Sequence, residues 1–171
     1  MKTRCMKLLL VWAVVAVVLA TPAQALRLGL GVNYWYTVDD INVDNFDESG
    51  LSWVLSAQMG LSDWSRLELG VERFEKGFGG SPKDVYAPQV FLVLGRKLYA
   101  AVGIGGYYTD SGWANDPFYA LRAGWVMELL PSLFLDFNAN YRFSQWDNLK
   151  DSNTNIGTDT VTLGAAIRLG F

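Results

Sequence analysis

Eight stretches of this chain alternate apolar residues with small or polar ones in steps of two. A period of 2.0 belongs to an extended strand with two different faces, and it excludes an amphipathic helix. The clearest stretch is the last, "TVTLGAAIRLGF" at 160–171. Val161, Leu163, Ala165, Ile167, Leu169 and Phe171 share one face, and Thr160, Thr162, Gly164, Ala166, Arg168 and Gly170 share the other. The same rhythm places Leu28, Leu30, Val32, Tyr34 and Tyr36 opposite Arg27, Gly29, Gly31, Asn33 and Trp35 within 26–38. It recurs over 51–61, 66–74, 98–109, 118–130 and 133–146, and less cleanly over 85–95, where both faces are apolar and Pro88 lacks a ladder donor. No segment after residue 25 carries a helical apolar stripe of useful length.

The first 25 residues follow a different logic. Lys2, Arg4 and Lys7 precede the apolar run "LLLVWAVVAVVLA", and "TPAQA" closes it with small residues. This three-part layout predicts a secretory signal peptide cleaved after Ala25. The run is too short to span a bilayer, which takes about 20 apolar residues. Cys5 lies before the apolar run, out of place for lipoprotein acylation, and leaves with the signal. The expected exported chain, 26–171, has neither cysteine nor histidine. It therefore has no disulfide framework or thiol site. The net charge of −3 includes the three basic residues of the signal, so the exported chain is more acidic and unsuited to nucleic acid.

The connections between strands alternate in length. Long polar segments at 39–50, 79–84, 111–117 and 147–159 alternate with tight links at 62–65, 95–97 and 131–132. Outer-membrane barrels show this asymmetry, with their short turns toward the periplasm. A soluble barrel such as a lipocalin would also have one-sided strands, but its outer face would be rich in Lys, Glu, Thr and Gln. Here the second face is Gly, Ala, Ser and Asn, including Gly29, Gly31, Gly70, Gly103, Gly105, Gly124 and Gly164. Small residues suit the narrow interior of eight strands, and bulky apolar ones suit lipid. Aromatic girdles are expected from Tyr34, Tyr36, Tyr108, Tyr119, Tyr141, Phe143 and Trp146 toward the long loops, and from Trp64, Tyr99 and Phe171 toward the short turns. The fold class is an all-β, eight-stranded, antiparallel up-and-down transmembrane β-barrel, in one domain over 26–171.

A terminal Phe171 preceded by alternating Leu163, Ile167 and Leu169 resembles the C-terminal signal that the outer-membrane barrel assembly machinery reads. With eight strands and periplasmic termini, the chain resembles the small OmpA-type and OmpX-type outer-membrane barrels. That resemblance implies an outer-membrane location, with lipid and lipopolysaccharide as surroundings, a monomeric state and no cofactor. OmpA continues into a peptidoglycan-binding domain whereas this sequence ends at Phe171, so no cell-wall tether is expected. Fold alone does not choose a role within so diverse a group.

Chemistry is constrained by what the sequence lacks. Palmitoyltransferases, deacylases, omptin proteases and phospholipases of the outer membrane rely on histidine as base or its partner, and this chain has none. Glu128 and Asp136 are the remaining candidates for acid–base work. They lie by parity on the inner face near one tight turn, together with Arg27, Arg168 and the strand beginning at Arg66 and Glu68. Balanced charges in a narrow tube neutralise one another more readily than they react. The expectation is an ion-pair plug of Arg27, Glu68, Glu128, Asp136 and Arg168, with Glu72, Arg122 and Arg142 also inward. Asp39, Asp40, Asp44, Asp47 and Glu48 form an acidic loop without the glycine and glutamate of a calcium loop. It reads as solvated, bridged to lipopolysaccharide by divalent ions, and no metal site is assigned. The expected function is a non-enzymatic envelope structural or surface-interaction role. The alternative is a narrow porin-like or OmpW-like channel for small solutes or hydrophobic compounds.

Overall fold

The computed structural model describes residues 26–38, 48–109, 112–114, 116–143 and 159–171. Residues 1–25, expected above to be a signal peptide, the acidic loop up to Asp47, and Trp146 with the loop that follows lie outside these residues. Ten strands are present among them: β1 (Arg27–Thr37), β2 (Ser49–Gly60), β3 (Ser65–Phe74), β4 (Val85–Gly95), β5 (Leu98–Gly105), β6 (Tyr108–Thr109), β7 (Gly112–Trp113), β8 (Phe118–Leu130), β9 (Leu133–Phe143) and β10 (Thr160–Gly170). All pairings are antiparallel, and all join consecutive strands except β5 with β8, β4 with β6, and β1 with β10. β10 returns to β1 from Arg27↔Gly170 to Thr37↔Thr160, and β3 pairs β4, so the eight long strands close into a barrel without an edge. β6 and β7 form a two-residue hairpin attached to β4 through Tyr86↔Tyr108.

The alternation in sequence becomes an alternation of exposure. Leu30, Leu55, Leu98, Leu121, Leu163 and Ile167 stand on the outer surface, while Asn33, Ser52, Glu68, Arg122, Asp136 and Thr162 are buried within. An exterior of large apolar side chains around a polar interior is stable only where lipid covers the outside. β4, the ambiguous strand, obeys the same rule. Val85, Ala87, Gln89, Phe91 and Val93 point inward and are buried, and Tyr86, Val90, Leu92 and Leu94 point out.

Bulk on one strand is matched by its absence on the next. Phe91 is registered with Gly103 of β5, and Tyr99 of β5 with Gly124 of β8. A Cβ at Gly103 would collide with the Phe91 ring, and one at Gly124 with the Tyr99 ring. Each aromatic therefore lies flat over a neighbouring strand inside a lumen with little spare room.

Two expectations need correction. Tyr99 is not part of a girdle: it is 5% exposed, and its hydroxyl lies within the barrel. Strand parity outranks closeness to the strand end, and position 99 is an inward one. The fifth strand also stops at Gly105 instead of running to Thr109: Gly105 is its last paired residue, Gly106 and Tyr107 follow outside a strand, and Tyr108–Thr109 form the separate β6 that pairs β7. Tyr34, Tyr36, Tyr108, Tyr119 and Tyr141 do face outward near the long loops, and Trp64 and Phe171 are exposed at the short-turn end.

Candidate functional site

The strands bring three carboxylates and three guanidinium groups into the lumen, all buried: Glu68, Glu72, Asp136, Arg122, Arg142 and Arg168. They form two levels. In the level nearer the short turns, Glu68 accepts from Arg122 at 2.6 Å through Oε1 and from Arg168 at 3.0 Å through Oε2. Gln58 Nε2 donates to the same Oε2 at 2.6 Å. Arg168 also reaches Asp136 through Nε at 2.6 Å and Ser56 Oγ through Nη1 at 2.8 Å. The Tyr99 hydroxyl donates to the other oxygen of Asp136 at 2.8 Å. Arg122 Nε donates to Asn140, and its guanidinium lies 3.8 Å above the Phe91 ring.

In the level nearer the long loops, Glu72 takes Arg142, Asn33 and Ser52 as donors. Arg142 donates to Gln89 Oε1 at 3.2 Å and sits 5.2 Å from the ring centres of both Phe74 and Phe118. A layer of aromatic rings follows: Trp35, Phe74, Phe78, Tyr107 and Phe118, all buried. Phe78 comes from a single 3₁₀ turn, Phe78–Gly80, in the β3–β4 connection and stacks on Phe74 at 3.9 Å. Gly77 and Gly79 supply the left-handed φ values of 103° and 60° that fold this connection back over the lumen.

Of the charged residues expected in the lumen, Glu68, Glu72, Asp136, Arg122, Arg142 and Arg168 are brought together there. Arg27 and Glu128 do not join them. Glu128 is exposed at the rim, just before a bulge between Glu128 and Leu130 that leads into the turn. Arg27 is half-buried over the Phe134 ring at 4.0 Å. Parity fixes the face of a strand on which a residue lies, but not where along the strand the packed lumen ends. The structure also supplies partners that charge counting passes over, namely Gln58, Ser56, Asn33, Ser52, Tyr99 and Asn140. Their signal is the presence of polar residues at inward positions of the strands. Phe78 has no periodic signal, only the glycines around it.

Each lumen carboxylate accepts from several donors, so none stands free as a general base. Among the described residues no group of acidic side chains is gathered as a metal site. Leu163, Ile167, Leu169 and Phe171 all face outward from β10 and its end, forming an apolar stripe on the seam beside β1.

An edgeless eight-stranded barrel, apolar outside and charged within, is the fold of the small outer-membrane β-barrels. Solved structures of that class match the chain over most of its length. Neisserial surface protein A has 13% identity and a TM-score of 0.55, covering 86% of this chain and 96% of its own. The N-terminal β-barrel domain of Pseudomonas aeruginosa OprF has 11% identity and a TM-score of 0.51, with 85% and 97% covered. These likenesses are of fold. No protein-family model matches the chain, and no curated protein matches it in sequence.

Proposed function

We propose that this chain is an outer-membrane barrel with a closed interior, serving as a non-enzymatic envelope structural or surface-interaction protein. The observation that carries this reading is the lumen. Three carboxylates and three arginines, linked across non-adjacent strands and covered by an aromatic layer, occupy the path a solute would take. Export through a signal peptide removed after Ala25 and insertion by the barrel assembly machinery, with β10 as its recognition strand, belong to the same reading. The long loops would then face lipopolysaccharide and the surroundings of the cell, and the barrel would be monomeric.

Planar-bilayer recording of the refolded protein tests it. The closed lumen is expected to give little or no steady current. Large, steady openings would overturn it in favour of the narrow-channel reading.

A further inference from the structure

The short-turn end of the barrel holds two arginines that the lumen network leaves out. Arg27 opens β1 and Arg66 is the second residue of β3, and both line a cup of about 450 Å³ at this mouth. Neither is ion-paired among the described residues. Arg27 has the Phe134 ring beneath it, 4.0 Å away. Arg66 stands 5.7 Å from the Tyr99 ring centre and has a buried Nε without any partner. Among the described residues its side chain's one hydrogen bond is a long contact of 3.5 Å from Nη2 to the Arg96 carbonyl. The nearest interior carboxylates are already committed. Asp136 is held by Arg168 and Tyr99, and Glu68 by Arg122, Arg168 and Gln58.

The rim does not compensate. Arg96 and Lys97 add two further positive charges, while Asp63 and Glu128 are the cup's two carboxylates. Asp63 is itself engaged by Arg96 at 3.5 Å. Arg27 and Arg66 are near enough to repel one another, and Glu128 and Asp136 offset only part of the positive field that Arg66 and Arg168 set up at Arg27. Two planar forks with unused donors, sharing a concave site with a net charge of +2, match an oxyanion that carries two charges and several acceptor oxygens. A phosphate monoester at neutral pH carries about −1.5 to −2. The apolar wall of Val126 and Phe134 suits the carbon portion of such a molecule, and the volume lies within the roughly 300–1,000 Å³ of small-ligand pockets.

We propose that this mouth binds a phosphate group, with Arg27 and Arg66 as its two principal ligands. The group comes either from a small soluble phosphate ester or from the headgroup of a lipid in the adjacent leaflet. The site is independent of whether the lumen conducts, because its ligands lie outside the network that closes the barrel.

Nuclear magnetic resonance of the arginine Nε–H groups, in full-length refolded barrel, separates the outcomes. In maltoside micelles, which carry no phosphate, glycerol 3-phosphate is expected to shift the Arg27 and Arg66 signals saturably. Arg73, at the far end and paired with Asp84, serves as the internal control and stays put. Arg27→Gln and Arg66→Gln should each weaken binding about tenfold, the value of one charge-assisted hydrogen bond. If the glutamine variants do not refold, the wild-type titration still decides. Potassium chloride at matched ionic strength moving the same signals equally far would reduce the effect to screening and overturn the proposal. In nanodiscs containing phosphatidic acid, whose headgroup is a phosphate monoester, signals already at their saturated positions and insensitive to glycerol 3-phosphate identify the lipid as the source. Signals that still respond identify a soluble ester. No saturable shift in micelles, together with no difference between micelles and nanodiscs, also overturns the site.

Discussion

Arg168 and Glu68, 100 residues apart in the chain, meet at 3.0 Å inside the barrel. They stand on β10 and β3, separated in the sheet by β1 and β2, so their contact crosses the lumen instead of following a ladder. Arg168 also holds Asp136, and Glu68 also holds Arg122, which makes the pair the centre of a four-residue chain of charges.

Breaking that chain should cost more than any exposed ion pair. Asp136→Ala leaves Arg122 and Arg168 to share the single carboxylate of Glu68, with one buried positive charge uncompensated, and removal of one partner from a buried pair costs about 3–5 kcal/mol. Urea unfolding in phospholipid vesicles should show a loss of this size, with more frequent channel openings in planar bilayers. Glu128→Ala, at the exposed rim, should change neither measurement appreciably. Equal behaviour of the two variants would remove the distinction between network and rim.

The aromatic layer makes a separate contribution. Phe78→Ala deletes a fully buried ring, a change that costs about 3–5 kcal/mol in a packed core. Current through the variant should remain low, because both charged levels lie below the vacated space. A large rise in conductance from this single substitution would place the barrier in the aromatic layer instead.

The outer face is testable at Leu163, which is 59% exposed on β10. Arginine near the midplane of the lipid face costs about 2–4 kcal/mol. Leu163→Arg should lower vesicle-refolded stability by that amount, and Leu163→Phe should be mild.

Complementarity between Gly103 and Phe91 predicts a compensating pair. Gly103→Ala drives a methyl group into the Phe91 ring, and overpacking of this kind costs about 1–3 kcal/mol. Phe91→Leu should recover part of that loss in a double-mutant cycle, giving a coupling energy well above the additivity error of about 0.3–0.5 kcal/mol.

Much of this architecture is legible in the order of the residues, and the reason is local. Residues such as Leu163 and Gly164 declare their faces because a strand repeats every two residues, and lipid tolerates only one kind of face. The buried positions of Glu68, Glu72, Asp136, Arg122, Arg142 and Arg168 follow from the same parity. Glu128 and Arg27 share that parity but stand at the mouth, since strand period carries no information about depth. β4 is obscure in sequence because its inward Phe91 looks like a lipid-facing residue until Gly103 is seen beneath it. Phe78 belongs to a connection, where no period operates, and its entry into the lumen depends on the backbone freedom of the glycines beside it. The cup around Arg66 is hidden for a further reason. Its character comes from partners that went elsewhere, a matter of three-dimensional competition.

The seam between β1 and β10 carries a consequence for how the barrel comes into being. It joins the first and last of the described strands, so the widest separation in the sheet must close before Arg168 can reach Glu68. Until then an open, curved sheet would present unmatched charges along its concave side. Contacts of such large sequence separation slow folding, because the ordering entropy is lost before they form. The final strand therefore acts as a latch: its pairing with β1 completes the hydrogen-bonded ring and brings Arg168 to Glu68 across the lumen. A chain halted just short of it would be trapped as a half-built sheet with its charges still seeking partners.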